Sequence, residues 1–336
     1  MDHLDTLRRL SRALTDPAHA MTDLVAEATA LRELLEHCST LSTAGGMPVN
    51  ADASVLDSGL AISPVQAALC ALQPYRTIAF IKGLHAAIGT VLRAHERVHV
   101  LYAGCGPYAL LALPQMALYG EQVGFTLIDV HDESLRHARA LVDSFGLGDC
   151  VDAWVCADAT HHRIDPARPP HVIVSETMNA ALRSEPQVAI FRALHAQAPA
   201  ALLVPERVTV HACLLDPARE LSPPVPDASV PFTPPQRDRI DLGPIFTLDS
   251  EALAAWCALE GDELPAAAVR VPPFGPAQQA RLLTKIDVYG GHRLDDYECS
   301  LTVPQRLPGR MPVAPGDTLQ FSYRLGSSPG LVCARV

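Results

Sequence analysis

Between residues 98 and 198 the hydrophobic pattern changes period repeatedly, and this restricts the possible folds more than any other feature of the chain. Short β-rich runs, "VHVLYA", "GFTLID", "DAWVCA" and "HVIVSE", alternate with helical stretches, notably "DESLRHARALVDSFG" from 132 to 146 and "PQVAIFRALHAQA" from 186 to 198. Apolar strands separated by helix-length connections predict a parallel, doubly wound α/β sheet covered on both faces. Upstream, residues 2–14 and 20–40 place apolar residues such as Leu24, Ala28, Leu31, Leu34 and Leu35 at helical spacing. Residues 43–50, containing "TAGGMP", read as a linker, and a further helical region runs from about 63 to 95 with an interruption near Pro74. After Pro199 the runs "ALLVPERVTVHACLL", "RLLTKIDVY", "DYECSLTV" and "TLQFSYRL" alternate like strands, and prolines crowd the connections at 217–235, 272–276 and 304–315. This part predicts an antiparallel β-domain with one helical insertion around 248–259. The expected division is 1–62, 63–203 and 204–336, in keeping with a length of 336 residues.

Composition narrows the function. A hydrophobic content of 49% with 19% charged residues is that of a folded globular protein. With 26 Lys+Arg against 37 Asp+Glu, a formal charge of −11, the average field repels a polyphosphate, so nucleic acid is not an expected partner. The nine cysteines show neither paired spacing nor a zinc pattern, and the adjacent His161 and His162 lack a ligand cluster. No metal is expected, and a reducing, cytoplasmic setting fits. Residues 98–120 lack Asp, Glu, Lys and Arg, but Gly104, Gly106, Pro107 and Pro114 break them, so a strand, glycine turn and buried helix are expected there and not a membrane span.

Gly104-Cys105-Gly106 follows the first strand and precedes a helix, where glycine permits a tight turn and close backbone approach to a ligand. Asp129 ends the second strand, twenty-five residues after Gly104, where an acid accepts ribose hydroxyls; the alternative is a capping role beside Asp132. Asp158, in "CADAT", is a candidate acceptor for an adenine amino group or the cap of a turn. The remaining feature is the stretch "VSETMNAALRSEPQV", in which Glu176 ends an apolar run and Glu185 follows nine residues later. Carboxylates are rarely buried without partners, so two flanking one loop mark either a solvated surface or a cation-binding site.

These residues resemble the protein arginine methyltransferases, over a stretch from about Leu56 to the C-terminus. In that family an arginine ahead of the glycine loop binds the methionine carboxylate of S-adenosylmethionine; the matching context here is "RTIAF", which implies that role for Arg76. The family's double-glutamate loop opens S-E-x-M and places a second glutamate nine positions on, as "SETMNAALRSE" does with Glu176 and Glu185. The resemblance implies a Rossmann-like methyltransferase domain followed by a β-barrel-like domain, with S-adenosylmethionine as cofactor and S-adenosylhomocysteine as product. Two carboxylates gripping a guanidinium would hold one terminal nitrogen in line with the methyl and favour charge on the rest of the group.

The chain also departs from the pattern. Tyr102 stands where the family's glycine loop begins with an acid, Tyr108 where it has a third glycine, and no Thr-His-Trp triplet is present; Trp154 and Trp256 lie elsewhere. His292, Asp295, Asp296 and Glu298 could supply substrate contacts, although a hairpin turn at Gly290-Gly291 reads more naturally. With the triplet lost and an N-terminal helical region gained, a small acceptor is expected: free L-arginine, as in natural-product arginine N-methyltransferases, with a homodimer as an open option. The competing readings are methylation of a peptide arginine or of another amine or hydroxyl, an inactive methyltransferase-like subunit that binds a partner, and a nicotinamide dehydrogenase using Gly104 and Asp129.

Overall fold

The computed structural model describes residues 3–42, 53–220 and 237–336. The linker expected at 43–50 and most of the proline-rich stretch at 217–235 lie outside these residues. Five parallel strands form the central sheet in the spatial order Val151–Cys156, Val123–Asp129, Val98–Ala103, Val172–Ser175, Leu202–Val204. The two central strands, "VHVLYA" and "VGFTLID", are buried almost throughout because helices cover both faces, which is why they carry apolar residues without alternation. Strand order reverses at Val98–Ala103, so a crevice opens beyond its carboxyl end; open α/β sheets bind ligands at such a point.

The helix Pro74–Leu92 starts with proline at its first turn and buries Ile78, Phe80, Ile81, Leu84 and Ile88. The N-terminal helices His3–Thr15 and Val25–Cys38 pack against it, and the first also covers the helix Ala112–Tyr119. Lys82, nearly buried, donates to the carbonyls of Asp16 (2.6 Å) and His19 (3.3 Å), fixing the turn between these two helices. The uncharged stretch at 98–120 is a strand, a glycine turn and a short helix; among the described residues no helix is long and apolar enough to cross a membrane.

Beyond the parallel sheet lie two antiparallel sheets. One has the order His292–Leu294, Gln279–Tyr289, Arg207–Leu215, Arg239–Asp249, with Gln305–Arg306 also pairing to Gln279–Tyr289; the other is Glu263–Arg270, Thr318–Arg324, Gly330–Arg335. Phe246 of the first sheet stacks on Tyr323 of the second with ring centroids 4.7 Å apart, and Trp256 stacks on Phe246 at 5.2 Å, so aromatic area joins the two. The helical insertion is the short helix Ser250–Trp256, capped by Asp249, which accepts from the Ala252 N–H.

Three details differ from the sequence reading. Leu202–Val204, the start of the strand-like run after Pro199, adds parallel to Val172–Ser175 and completes the central sheet. "DYECSLTV" is no strand: Tyr297 has φ +68°, the Glu298 carboxylate accepts from the Asp295 N–H, and Ser300–Thr302 is a single 3-10 turn, so local side-chain bonds displace a ladder. Arg239–Asp249, Glu263–Arg270 and Gly330–Arg335 are strands that the pattern did not reveal.

Candidate functional site

The carboxyl ends of the central strands deliver the site. Gly104 (φ +73°) and Gly106 (φ +63°) turn the chain out of Val98–Ala103, a backbone that side-chain-bearing residues rarely adopt. The turn is held by the N–H groups of Gly104 and Cys105, which donate to the Ile128 carbonyl, and by that of Gly106, which donates to Asp129 Oδ2 (2.9 Å). A Cβ on Gly104 would stand 2.3 Å from Cγ2 of Thr177, so this glycine also lets the segment after Glu176 come close.

Asp129 ends the strand Val123–Asp129 and is nearly buried, with its other oxygen accepting from the His131 N–H at 2.9 Å. Two backbone donors orient the carboxylate, and a carboxylate has about four lone-pair sites, so acceptor capacity remains. Asp158 takes the capping role named as its alternative: Oδ1 accepts from the N–H and hydroxyl of Thr160, while Oδ2 accepts from the Ser58 hydroxyl at 2.9 Å. Asp158 nevertheless lines the same pocket.

Arg76 lies in the first turns of Pro74–Leu92 and forms a buried ion pair with Glu176, which directly follows Val172–Ser175. Burial works against the guanidinium charge, and the contact with Glu176 outweighs it, leaving the Arg76 pKa above the ordinary guanidinium value. For Glu176 burial raises the pKa and Arg76 opposes the rise. Nε of Arg76 is buried with no hydrogen-bond partner among the described residues. The sequence reading assigned Arg76 to the cofactor and Glu176 to the acceptor; the structure puts them in contact.

Glu185 reaches the pocket through a backbone held in unusual conformations. Ala181, Leu182 and Ser184 all have positive φ (60°, 53° and 66°), each costing roughly 1–2 kcal/mol in a residue with a side chain. The antiparallel sheets hold this loop in place: the Ala181 N–H donates to Thr284 Oγ1 (2.7 Å), the Tyr323 hydroxyl to the Leu182 carbonyl (2.8 Å), and the Ser184 N–H to the Pro329 carbonyl (2.8 Å). Glu185 is 7% exposed and has no ion pair among the described residues. Burial pushes its carboxyl up to about 7, with Arg76 pulling it down and Glu176 pushing it further up.

Arg76, Gly104, Gly106, Asp129, Asp158, Glu176 and Glu185 all line one pocket. His292, Asp295, Asp296 and Glu298 do not line it; Asp296 pairs with Arg237 and Arg239, and His292 opens the second strand of the hairpin around Gly290-Gly291. No group of three or more His, Cys, Asp or Glu able to hold a metal ion occurs among the described residues.

Sequence reasoning missed a strap over this pocket. The strands Ser54–Leu56 and Gly59–Ala61 form a hairpin whose Leu56, Leu60 and Ala61 line the pocket. It is fastened by Ser54 Oγ to His131 Nε2 (3.0 Å), by the Ser58 hydroxyl to Asp158, and by the Leu60 N–H to the Ser184 carbonyl (2.7 Å). The Asp57-Ser58-Gly59 turn between alternating apolar residues was its available signal. His131, 3.6 Å from Asp129 Oδ1, and Cys70, whose thiol burial pushes up while Arg76 pulls down, were also missed.

The chain matches no protein-family model and no curated protein. Among solved structures it is similar to the Trypanosoma brucei PRMT1 enzyme-prozyme heterotetrameric complex with AdoHcy, at 13% sequence identity and a TM-score of 0.49, over 79% of this chain and 96% of that chain.

Proposed function

We propose that this protein transfers a methyl group from S-adenosylmethionine to a guanidino nitrogen of a small acceptor, with free L-arginine the first compound to test. The observation that carries this reading is that Glu185, a buried carboxylate without an ion pair, shares one pocket with the Arg76–Glu176 pair and with the glycine turn and acid of a nucleoside site. A buried carboxylate lacking a cation is the counterpart that a guanidinium needs.

The residues fit the cofactor. The orphaned Nε of Arg76 is a donor available to a carboxylate, the glycines of the 104–106 turn add no side chain of their own to the pocket, and Asp129 retains acceptor capacity for ribose hydroxyls. Bound there, S-adenosylmethionine supplies a methyl on a sulfonium whose leaving group is a neutral thioether. Glu176 and Glu185 would hold the acceptor guanidinium by its N–H groups, orient one terminal nitrogen, and favour positive charge on the others as the new C–N bond forms, the proton shed by the methylated nitrogen passing to Glu185 and from there to water. Leu56, Leu60 and Ala61 of the strap add apolar lining to the same pocket. In this reading residues 63–203 carry the nucleoside, 204–336 position the acceptor loop, and 1–62 contribute the strap.

Mass spectrometry of reactions containing S-adenosylmethionine and either free L-arginine or an arginine-rich peptide tests the proposal. The expected result is the gain of one methylene's mass on the small acceptor alone. Glu176→Gln and Glu185→Gln are expected to lower turnover on the order of 100-fold or more while S-adenosylhomocysteine affinity stays within a few-fold. Normal turnover in either variant overturns the guanidinium clamp.

A further inference from the structure

Away from the pocket of Glu185, the strand Gln279–Tyr289 borders a second pocket of opposite charge. Its lining includes Arg281, Arg306 and Arg310 and, among the described residues, no Asp or Glu. Arg281 and Arg306 are direct partners in the ladder between Gln279–Tyr289 and Gln305–Arg306, so their side chains leave the sheet on the same face. Arg310 reaches the same pocket from the turn Pro308–Arg310, where it holds φ +52°.

Like charges directly opposite one another destabilise a ladder, and here a third arginine joins the two. Arg281 is partly buried; burial first, and then Arg306, push its guanidinium below the ordinary value. It donates to Gln279 Oε1 (2.6 Å) and to the Ala280 carbonyl (3.0 Å), neutral acceptors that leave its charge uncompensated. None of the three arginines has an ion pair among the described residues. Acids are not scarce in this chain, which has 37 against 26 Lys+Arg, and Arg76, Arg207, Arg239 and Arg335 each have one as a partner. Phe274, Leu307, Met311 and Val313 give the same pocket an apolar side. Guanidinium forks match the oxygens of a phosphate, and a dianion answers several positive charges better than a monocarboxylate does.

We propose that this pocket binds a small phosphate monoester, its dianionic head on Arg281, Arg306 and Arg310 and its organic part against the apolar side. The pocket shares no lining residue with that of Glu185, so binding here is independent of the proposed methyl transfer.

Calorimetric titration with phenyl phosphate, inorganic phosphate and phenol tests this, at a salt concentration of about 0.15 M that screens exposed charges. Phenyl phosphate is expected to bind about tenfold more tightly than inorganic phosphate, and phenol not measurably. Arg281→Gln, Arg306→Gln and Arg310→Gln are each expected to weaken phenyl phosphate about tenfold or more. Thermal unfolding without ligand separates a binding role from a structural one: Arg306→Gln removes a like charge and is expected to leave the melting temperature unchanged or raise it. Any one of four results overturns the proposal: no binding of phenyl phosphate, binding that survives the substitutions, equal affinity for inorganic phosphate, or a lowered melting temperature in Arg306→Gln.

Discussion

At Glu185 burial and a neighbouring carboxylate act in the same direction, and Arg76 offsets them only in part, which is why the group titrates at about 7. The folded chain keeps a proton there that the unfolded chain has already released at ordinary carboxylate pH. Glu185 therefore favours the fold most below about 4.5, and that contribution is lost as pH rises through about 7. A guanidinium acceptor has the opposite requirement, because it binds the ionised form. Acceptor affinity is expected to rise about tenfold per pH unit below about 7 and to level off above it, with Glu185→Gln flattening the curve; calorimetric titration from about pH 5.5 to about 8.5 measures this. The sequence exposed the two glutamates through their spacing, since a nine-residue interval is a linear property. It did not expose the contact between Arg76 and Glu176, which are a hundred residues apart and meet only when Pro74–Leu92 crosses the end of Val172–Ser175. Nor did it decide between the two roles of Asp158, because a capping acid and a ligand acid look alike until Thr160 and Ser58 are in place.

At the scale of elements, the loop from 176 to 185 is held by bonds from outside itself. Three residues with positive φ persist because Thr284, Tyr323 and Pro329 take up its backbone groups. Tyr323→Phe leaves the buried Leu182 carbonyl without its donor and is expected to cost about 1–3 kcal/mol of stability. It should also lower turnover with little change in cofactor affinity. Denaturant titration beside acceptor kinetics reads both, and an unchanged rate would show that the loop holds its shape unaided. The parallel strands were legible because burial on both faces forces unbroken apolar runs such as Val123–Asp129. The antiparallel strands were less so. Glu263–Arg270 reads "ELPAAAVR", rich in alanine and poor in β-branched residues, and Arg239–Asp249 contains Gly243 and Pro244, which resemble a break; both are strands because their partners are already in place.

Over the whole molecule, the parallel-sheet layer and the antiparallel sheets meet where Gly83 of Pro74–Leu92 lies against Gln279–Tyr289. A Cβ on Gly83 would stand 2.4 Å from Val288 Cγ1 and 3.2 Å from the Tyr289 nitrogen. Gly83→Ala gains helix propensity but must push the helix from the strand, so a net loss of about 1–3 kcal/mol is expected. The same helix carries Arg76, and thermal unfolding together with S-adenosylhomocysteine affinity should show both losses in one variant; an unchanged melting temperature would mean that the junction yields easily. Gly104 has a wider consequence of the same kind. Because the space it leaves is filled by Thr177, the residue following Glu176, any side chain placed there displaces the segment that carries Glu176 as well as straining the turn itself. Mutational scanning through this turn would therefore give one phenotype with two origins, and loss of activity at position 104 is not by itself a diagnosis of lost cofactor.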